Sequence, residues 1–268
     1  MIEQLADYHI HTSFCNHANG TMKQYVKHAI SAGLNEMGFA DHNPFPSNYV
    51  SHYRMLPDYL PIYLNIINDL KAQFRQIHIK IGIELDYVRS AIEYLTKFVA
   101  ENNFDYIIGS VHYLSVDSSK QTYYLNDLHS DKKSQLFCKY FEAVGEAINT
   151  GLFDIIGHFD LPRRFWGDLD DVSISHAEQA LNLLKKNDLC IEINTSGFRT
   201  RNVEEPFPGS QLLYLAKEMD VPITFGSDAH TPYDVGSYFH EAVVMLKKIG
   251  FKEFNLFTKR KRISIPIF

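Results

Sequence analysis

Two histidines stand two apart, His9 and His11 in Asp7-Tyr8-His9-Ile10-His11-Thr12, at the end of a short apolar run, and His17 follows in the next loop. Residues i and i+2 face the same side of an extended strand, so the two imidazoles stand side by side where strand gives way to loop. One such pair carries little weight, but the event recurs. Apolar runs end in Asp41-His42, close after Glu84, in His112, in His158, and in Asp228-Ala229-His230. The candidate set is therefore His9, His11, His17, His42, Glu84, His112, His158, Asp228 and His230, which takes seven of the 13 histidines and two carboxylates. The others (His28, His52, His78, His129, His176 and His240) fall in helices, loops or an alternating strand face and read as surface or packed residues.

Imidazoles mixed with carboxylates and no thiolate suit Mn, Zn or Fe rather than Ca or Mg. Nine ligands are too many for one tetrahedral ion. They suit two to three adjacent divalent ions with a carboxylate between two of them, and Glu84 is the natural bridge. Such clusters acidify a bound water and clamp the oxygens of a phosphate ester. Two stretches bear on the substrate: Asp160-Leu161-Pro162-Arg163-Arg164 directly after His158, and Thr195-Ser196-Gly197-Phe198-Arg199. Arg163, Arg164 and Arg199 could bind a phosphate or carboxylate through paired hydrogen bonds. Phe165 and Trp166 read chiefly as packing.

The elements that must position these residues alternate. Strands are expected at 5–10, 36–40, 77–85, 105–111, 154–157, 189–193 and 221–226. Helices are expected at 22–32, 60–74, 91–100, 133–149, 175–186, 211–219 and 235–249. Segments 44–56 and 115–130 read as long ordered loops, the first rich in proline and aromatics and placed as a lid over the substrate. Seven strand–helix units imply a parallel sheet with right-handed crossovers. Ligands follow at least six strands, and only a closed barrel gathers that many C-terminal strand ends at one mouth; an open sheet gathers two or three at a switch point. The expectation is a single α/β domain over 1–268 with its active site at those strand ends.

The composition agrees: 45% hydrophobic and 22% charged residues give a core of useful size, and the net charge of -6 suggests no general affinity for nucleic acid or anionic membranes. The basic run Lys259-Arg260-Lys261-Arg262 reads as a solvated tail. Cys15, Cys138 and Cys190 form neither a disulfide framework nor a CxxC site; Cys190 reads as a buried small hydrophobe and Cys15 as a bystander beside the histidines. No apolar run reaches membrane-spanning length and the first residues do not read as a signal peptide, so a cytoplasmic location is expected.

The sequence resembles the polymerase-and-histidinol-phosphatase (PHP) superfamily and, within it, the monofunctional histidinol-phosphate phosphatases. The resemblance rests on Tyr8-His9-Ile10-His11-Thr12 with His17, Ala40-Asp41-His42, Gly82-Ile83-Glu84, Gly109-Ser110-Val111-His112, Gly157-His158-Phe159-Asp160 and Gly226-Ser227-Asp228-Ala229-His230, which span nearly the whole chain. Further likeness lies in Asp41-His42-Asn43-Pro44-Phe45-Pro46, Arg54-Met55 and Asn194-Thr195-Ser196-Gly197-Phe198-Arg199. It implies a distorted (β/α)7 barrel and a trinuclear site: His9, His11, Glu84 and Asp228 at the first metal, Glu84, His112 and His158 at the second, His17, His42 and His230 at the third. It also implies hydrolysis of the phosphate monoester L-histidinol phosphate, with Asp160 or Asp41 either protonating the leaving alkoxide or orienting a ligand histidine. Three alternatives stand beside it: a nucleotide or oligonucleotide phosphoesterase, an amidohydrolase acting on a C–N bond, and a metal-binding domain without turnover.

Overall fold

The computed structural model describes residues 5–45, 53–115, 122–128 and 132–267. Seven strands form one parallel sheet in sequence order: β1 (Ala6–Ile10), β2 (Glu36–Phe39), β3 (His78–Asp86), β4 (Tyr106–Ser110), β5 (Ile155–Ile156), β6 (Cys190–Asn194) and β7 (Ile223–Gly226). A helix follows each strand in turn: α1 (Met22–Ser31), α2 (Leu60–Gln73), α3 (Ile92–Glu101), α4 (Lys133–Asn149), α5 (Asp171–Lys186), α6 (Ser210–Glu218) and α7 (Phe239–Ile249). The sheet closes at its mouth, where Ile10 bridges Ala229: His11 donates to the Ala229 carbonyl at 3.0 Å and Ala229 to the His9 carbonyl at 3.1 Å. The expected (β/α)7 barrel is the observed one.

Local chemistry explains most element ends. Thr21 and Gln24 form a reciprocal capping box ahead of α1. Asp170 caps α5 through Ser173 and starts that helix at Asp171, a turn before the expected Ser175. The last helix begins at Phe239 rather than Val235, because Gly236 and Tyr238 take left-handed conformations that interrupt it. Two four-residue helices at the mouth, Arg163–Trp166 and Ser196–Arg199, occupy what reads from sequence as loop.

The barrel interior is layered. Tyr106 lies across the floor, its hydroxyl donating to the Tyr8 carbonyl at 2.6 Å, its ring 4.7 Å from that of Tyr8. Gly38 and Gly82 make room for it, since a Cβ at either position would come within 2.1 or 2.2 Å of Tyr106. The pairing of β1 with β2 slips by one residue between Asp7 and Ile10, a bulge. That extra residue lets consecutive side chains share the interior: Tyr8 packs on the floor and His9 faces the mouth.

The basic run is not a solvated tail. It forms the turn and start of a C-terminal hairpin, β8 (Glu253–Thr258) with β9 (Lys261–Pro266). The hairpin covers the N-terminal ends of the barrel strands. Phe254 and Phe257 are buried beneath the barrel, Thr224 donates to the Asn255 carbonyl, and the Phe257 amide donates to the Tyr8 hydroxyl at 3.0 Å. Arg260 donates from Nε to both oxygens of Asp154 (2.8 and 3.1 Å) and from Nη2 to the Leu152 carbonyl, and Arg262 pairs with Asp188. Acidic residues at the starts of β5 and β6 thus explain why these arginines sit where they do. Charge-assisted bonds of this kind are worth ~1.5–3 kcal/mol each. Arg260→Ala should cost ~2 kcal/mol in urea denaturation of metal-free protein without changing the slope; an unaltered midpoint would show that the hairpin closes the floor without this contact.

Candidate metal centre

All nine ligand candidates meet at the C-terminal mouth. Glu84, near the end of β3, is fully buried and lies within 4 Å of five imidazoles: His9 Nε2 at 3.5 Å, His11 Nε2 at 3.6 Å, His42 Nδ1 at 2.9 Å, His112 Nε2 at 3.8 Å and His158 Nε2 at 3.2 Å. Asp228 lies 3.2 Å from His11 Nε2 and 3.8 Å from His9 Nε2, and its left-handed backbone (φ 53°) turns it in from the end of β7. His17 and His230 face each other, Nε2 to Nε2, at 2.8 Å, and His112 and His158 do so at 3.1 Å.

The geometry fits divalent cations. Ligand atoms converge within 4.8 Å of one another in His9–His11–Glu84, in His42–Glu84–His112 and in His17–His42–His230. His9 Nε2 and Glu84 Oε2 are buried without a hydrogen-bond partner and point into this space. The third group has the members of the expected set, and the first has three of its expected four, with Asp228 3.2 Å from His11 Nε2. In the second, His42 joins Glu84 and His112, while His158 reaches Glu84 and His112 from the other side, so His42 stands between two groups. A fourth convergence places buried Cys15 beside His11 and His230.

The electrostatics favour the binding form of the two acids; burial pushes against a proton on His9, yet Glu192, Asp228 and Glu84 raise it well above its usual value, so an ion binding there would displace that proton. Burial pushes against ionising Glu84, yet His42, His9 and His112 hold its carboxyl well below the usual range. Asp228 is likewise held down against burial by His9 and His11. Burial lowers His42 to about 4, so it is neutral at pH 7.

Behind the ligands sits a ring of groups that sequence reasoning did not single out. Glu192 lies 2.6 Å from His9 Nδ1, Asp86 bonds His112 Nδ1, and the Ser110 hydroxyl donates to Glu84 at 2.6 Å. Asp86 also binds Arg54, whose guanidinium is held between the rings of Phe45 (4.8 Å) and Tyr113 (5.5 Å). The available signal was an acid inside a buried apolar strand, Ile191-Glu192-Ile193, and a second acid two residues after Glu84 on the same strand face.

A cavity of about 580 Å³ opens over the ligands, lined also by Tyr53, Arg54, Tyr124, Arg164, Phe165 and Arg199. Arg164 and Arg199 thus reach the cavity. Arg163 does not line it: its guanidinium binds Glu205 at 2.6 Å, with Asp160 and Asp168 at 3.4 and 3.3 Å. Asp41 and Asp160 also lie behind the wall. Asp41 takes the Thr12 hydroxyl and amide and sits 3.6 Å from His11 Nδ1. Asp160 accepts the Gly209 amide at 2.9 Å. Trp166 is buried, donating to the Leu128 carbonyl at 3.1 Å. Of the expected lid over 44–56, Tyr53 sits against His17 at 5.3 Å; residues 46–52, like 116–121 and 129–131 of the second expected loop, lie outside the described residues.

Comparison with known proteins gives the same result. The PHP domain model matches residues 7–196, and a PHP-associated model matches 211–242. The chain belongs to the PHP domain family. Its relatives within that family include the histidinol-phosphatase of Bacillus subtilis, 32% identical over 89% of this chain and 98% of that protein. A Deinococcus radiodurans protein named "Probable histidinol-phosphatase" is 35% identical over 92% of this chain and 94% of its own. The crystal structure of histidinol phosphate phosphatase from Lactococcus lactis, complexed with Zn, L-histidinol and phosphate, superposes with a TM-score of 0.81 at 27% identity, covering 97% of this chain and 99% of that one.

Burial lifts Asp160 from 3.8 to about 6. The fold then holds the protonated form, and its stability contribution declines as pH rises from the unfolded value through the folded one. The lift is worth ~3 kcal/mol. In metal-free protein, Asp160→Asn should gain stability relative to wild type by about that amount as pH rises from 4 to 7; a difference that stays flat would place the Asp160 ionisation elsewhere.

Proposed function

We propose that this PHP-family chain hydrolyses L-histidinol phosphate to L-histidinol and phosphate. The observation that carries the reading is the convergence of all nine candidate ligands beneath a cavity that presents Arg164 and Arg199. Relatives of matching length named histidinol-phosphatase, and the Lactococcus lactis enzyme seen with L-histidinol and phosphate, support the substrate.

The candidate ligands would hold two to three divalent ions (Mn, Zn or Fe), which would acidify a water and supply positive charge toward the phosphoryl oxygens. The first set is His9, His11, Glu84 and Asp228; the second is Glu84, His112 and His158; the third is His17, His42 and His230. Glu84, on the barrel axis, would be shared by the first two sets. Arg199 is aimed by its contacts: Nη1 donates to the Ser237 hydroxyl at 2.6 Å, Nη2 to the Ser227 and Asp228 carbonyls at 2.7 and 3.3 Å, and Asp234 lies 3.6 Å from Nε. It is thus tied to the loop that carries Asp228, beside which a phosphate would bind. Arg164 is exposed and lines the same cavity, where it can meet an anionic group. Asp41 and Asp160, off the cavity, act in this reading by holding His11 and the segment after His158.

The chain acts as one unit over 1–268, since the stretch around the second family match contributes Asp228 and His230 to the same mouth. The partner is a small phosphate monoester rather than nucleic acid, in line with the net charge of -6. Among the described residues no helix is long and apolar enough to cross a membrane, and a biosynthetic role is in keeping with a cytoplasmic location.

The test is phosphate release from L-histidinol phosphate by Mn-, Zn- or Fe-loaded protein, with a nucleoside monophosphate, an aryl phosphate and single-stranded DNA in parallel. Preference for histidinol phosphate, abolished by chelation, is expected, and Arg199→Ala should lower kcat/KM by about 10–100-fold, as for loss of a charged contact worth ~1.5–3 kcal/mol. Turnover of nucleotides but not histidinol phosphate would overturn the substrate, and an unchanged kcat/KM in the variant would remove Arg199 from phosphate binding.

A further inference from the structure

Glu192, in the middle of β6, is a carboxylate with 1% side-chain exposure and no direct contact with the substrate cavity. Its two oxygens work in different directions. Oε1 lies 2.6 Å from His9 Nδ1. Oε2 accepts the backbone N–H of His158 at 2.7 Å and the side-chain N–H of Asn194 at 3.0 Å. One carboxylate therefore ties a residue on β1 to the segment after β5, and the two histidines both approach Glu84 Oε1, at 3.5 and 3.2 Å. An ionised carboxylate can only accept, so the His9 nitrogen facing it is the protonated one. In the neutral ring the lone pair is then on Nε2, the buried atom without a hydrogen-bond partner that faces Glu84 and Asp228. Two glycines of the ligand-bearing segments keep the space for this carboxylate. A Cβ at Gly226 would lie 1.9 Å from Glu192 Oε1 and 2.7 Å from His9 Cβ, and one at Gly157 would lie 3.4 Å from Oε2.

We propose that Glu192 is a positioning residue for the metal centre, fixing the His9 tautomer with Nε2 inward while pinning the backbone of His158, so that it sets metal affinity at two ligand groups at once. The inference rests on the reading of His9 and His158 as metal ligands, and not on the identity of the substrate. Outer partners of ligand histidines raise ligand basicity and fix ring orientation, and their loss typically weakens metal binding 10–100-fold.

Glu192→Gln preserves size but leaves a single oxygen. It cannot accept from His9 and from His158 together, so either one contact becomes donor against donor or His9 turns to the tautomer with Nε2 protonated. The measurement is Zn affinity of the metal-free protein, titrated in competition with a chromophoric chelator and without substrate, alongside the thermal midpoint of both metal-free proteins. The expected result is affinity weaker by about 10–100-fold, with metal-free midpoints that stay together and kcat partly restored by excess metal. Unchanged affinity overturns the proposal. So does a metal-free midpoint that falls in step with affinity, which would make Glu192 a structural residue only. Wild-type protein that takes up no Zn overturns the underlying ligand reading instead. Should the variant fail to fold, 15N NMR of the histidine rings in metal-free wild type decides: an Nδ1 of His9 that carries a proton supports the proposal, and an Nδ1 without one refutes it.

Discussion

The rest of the structure depends on a carboxylate placed where carboxylates are costly. Glu84 is fully buried on the barrel axis, with one hydroxyl, that of Ser110, donating to it and five imidazoles around it. Asp41, Asp86, Glu192 and Asp228 crowd the same mouth, while Arg54 is buried among them and Arg199 stands at the rim. Ionised groups removed from water need close opposite charge. Protonated imidazoles such as His9 and His11 supply part of it in the metal-free protein, and cations held between Glu84 and the histidines would take their place. Metal binding would in this sense be part of what makes the mouth an acceptable folded arrangement, as well as what equips it for chemistry.

The architecture serves that constraint from both ends. At the mouth, Ala229 closes the ring by pairing with β1, which brings Asp228 and His230 against His11. At the floor, the C-terminal hairpin plugs the barrel with Phe254 and Phe257 and fastens to acids that begin the strands. Between them a bulge in β1 allows Tyr8 to fill the floor while His9 reaches the metal side. The chain Arg54–Asp86–His112 joins the segment after residue 52 to the second ligand group, so packing of Phe45 and Tyr113 around one guanidinium bears on the orientation of a ligand imidazole.

Much of this was legible in the sequence, for a physical reason. A ligand at a strand end leaves a sharp mark, a His or acid breaking an apolar run, and the recurrence of that mark after successive strands implied convergence and hence closure. Most element boundaries fell within a residue or two, since apolar periodicity fixes the middle of an element well and its ends poorly. Side-chain direction was not legible. Nothing in Asp160-Leu161-Pro162-Arg163-Arg164 tells which arginine faces the cavity; a short helix over Arg163–Trp166 turns Arg163 to Glu205 and leaves Arg164 at the rim. The hairpin was missed because the partners of Arg260 and Arg262, Asp154 and Asp188, are 106 and 74 residues away in sequence. Glu192 and Asp86 were missed because a buried acid that orients a ligand resembles a ligand or a surface charge until its partner is seen.

Anomalous diffraction at the absorption edge of the bound metal, from crystals of the metal-loaded protein, tests the central claim most directly. The account predicts two peaks flanking the Glu84 carboxylate, about 3.5–4 Å apart as in two-metal sites, one on the His9–His11–Asp228 side and the other on the His112–His158 side, with a third peak among His17, His42 and His230. A single ion away from Glu84, or no ion in protein that still turns over phosphate ester, would contradict it.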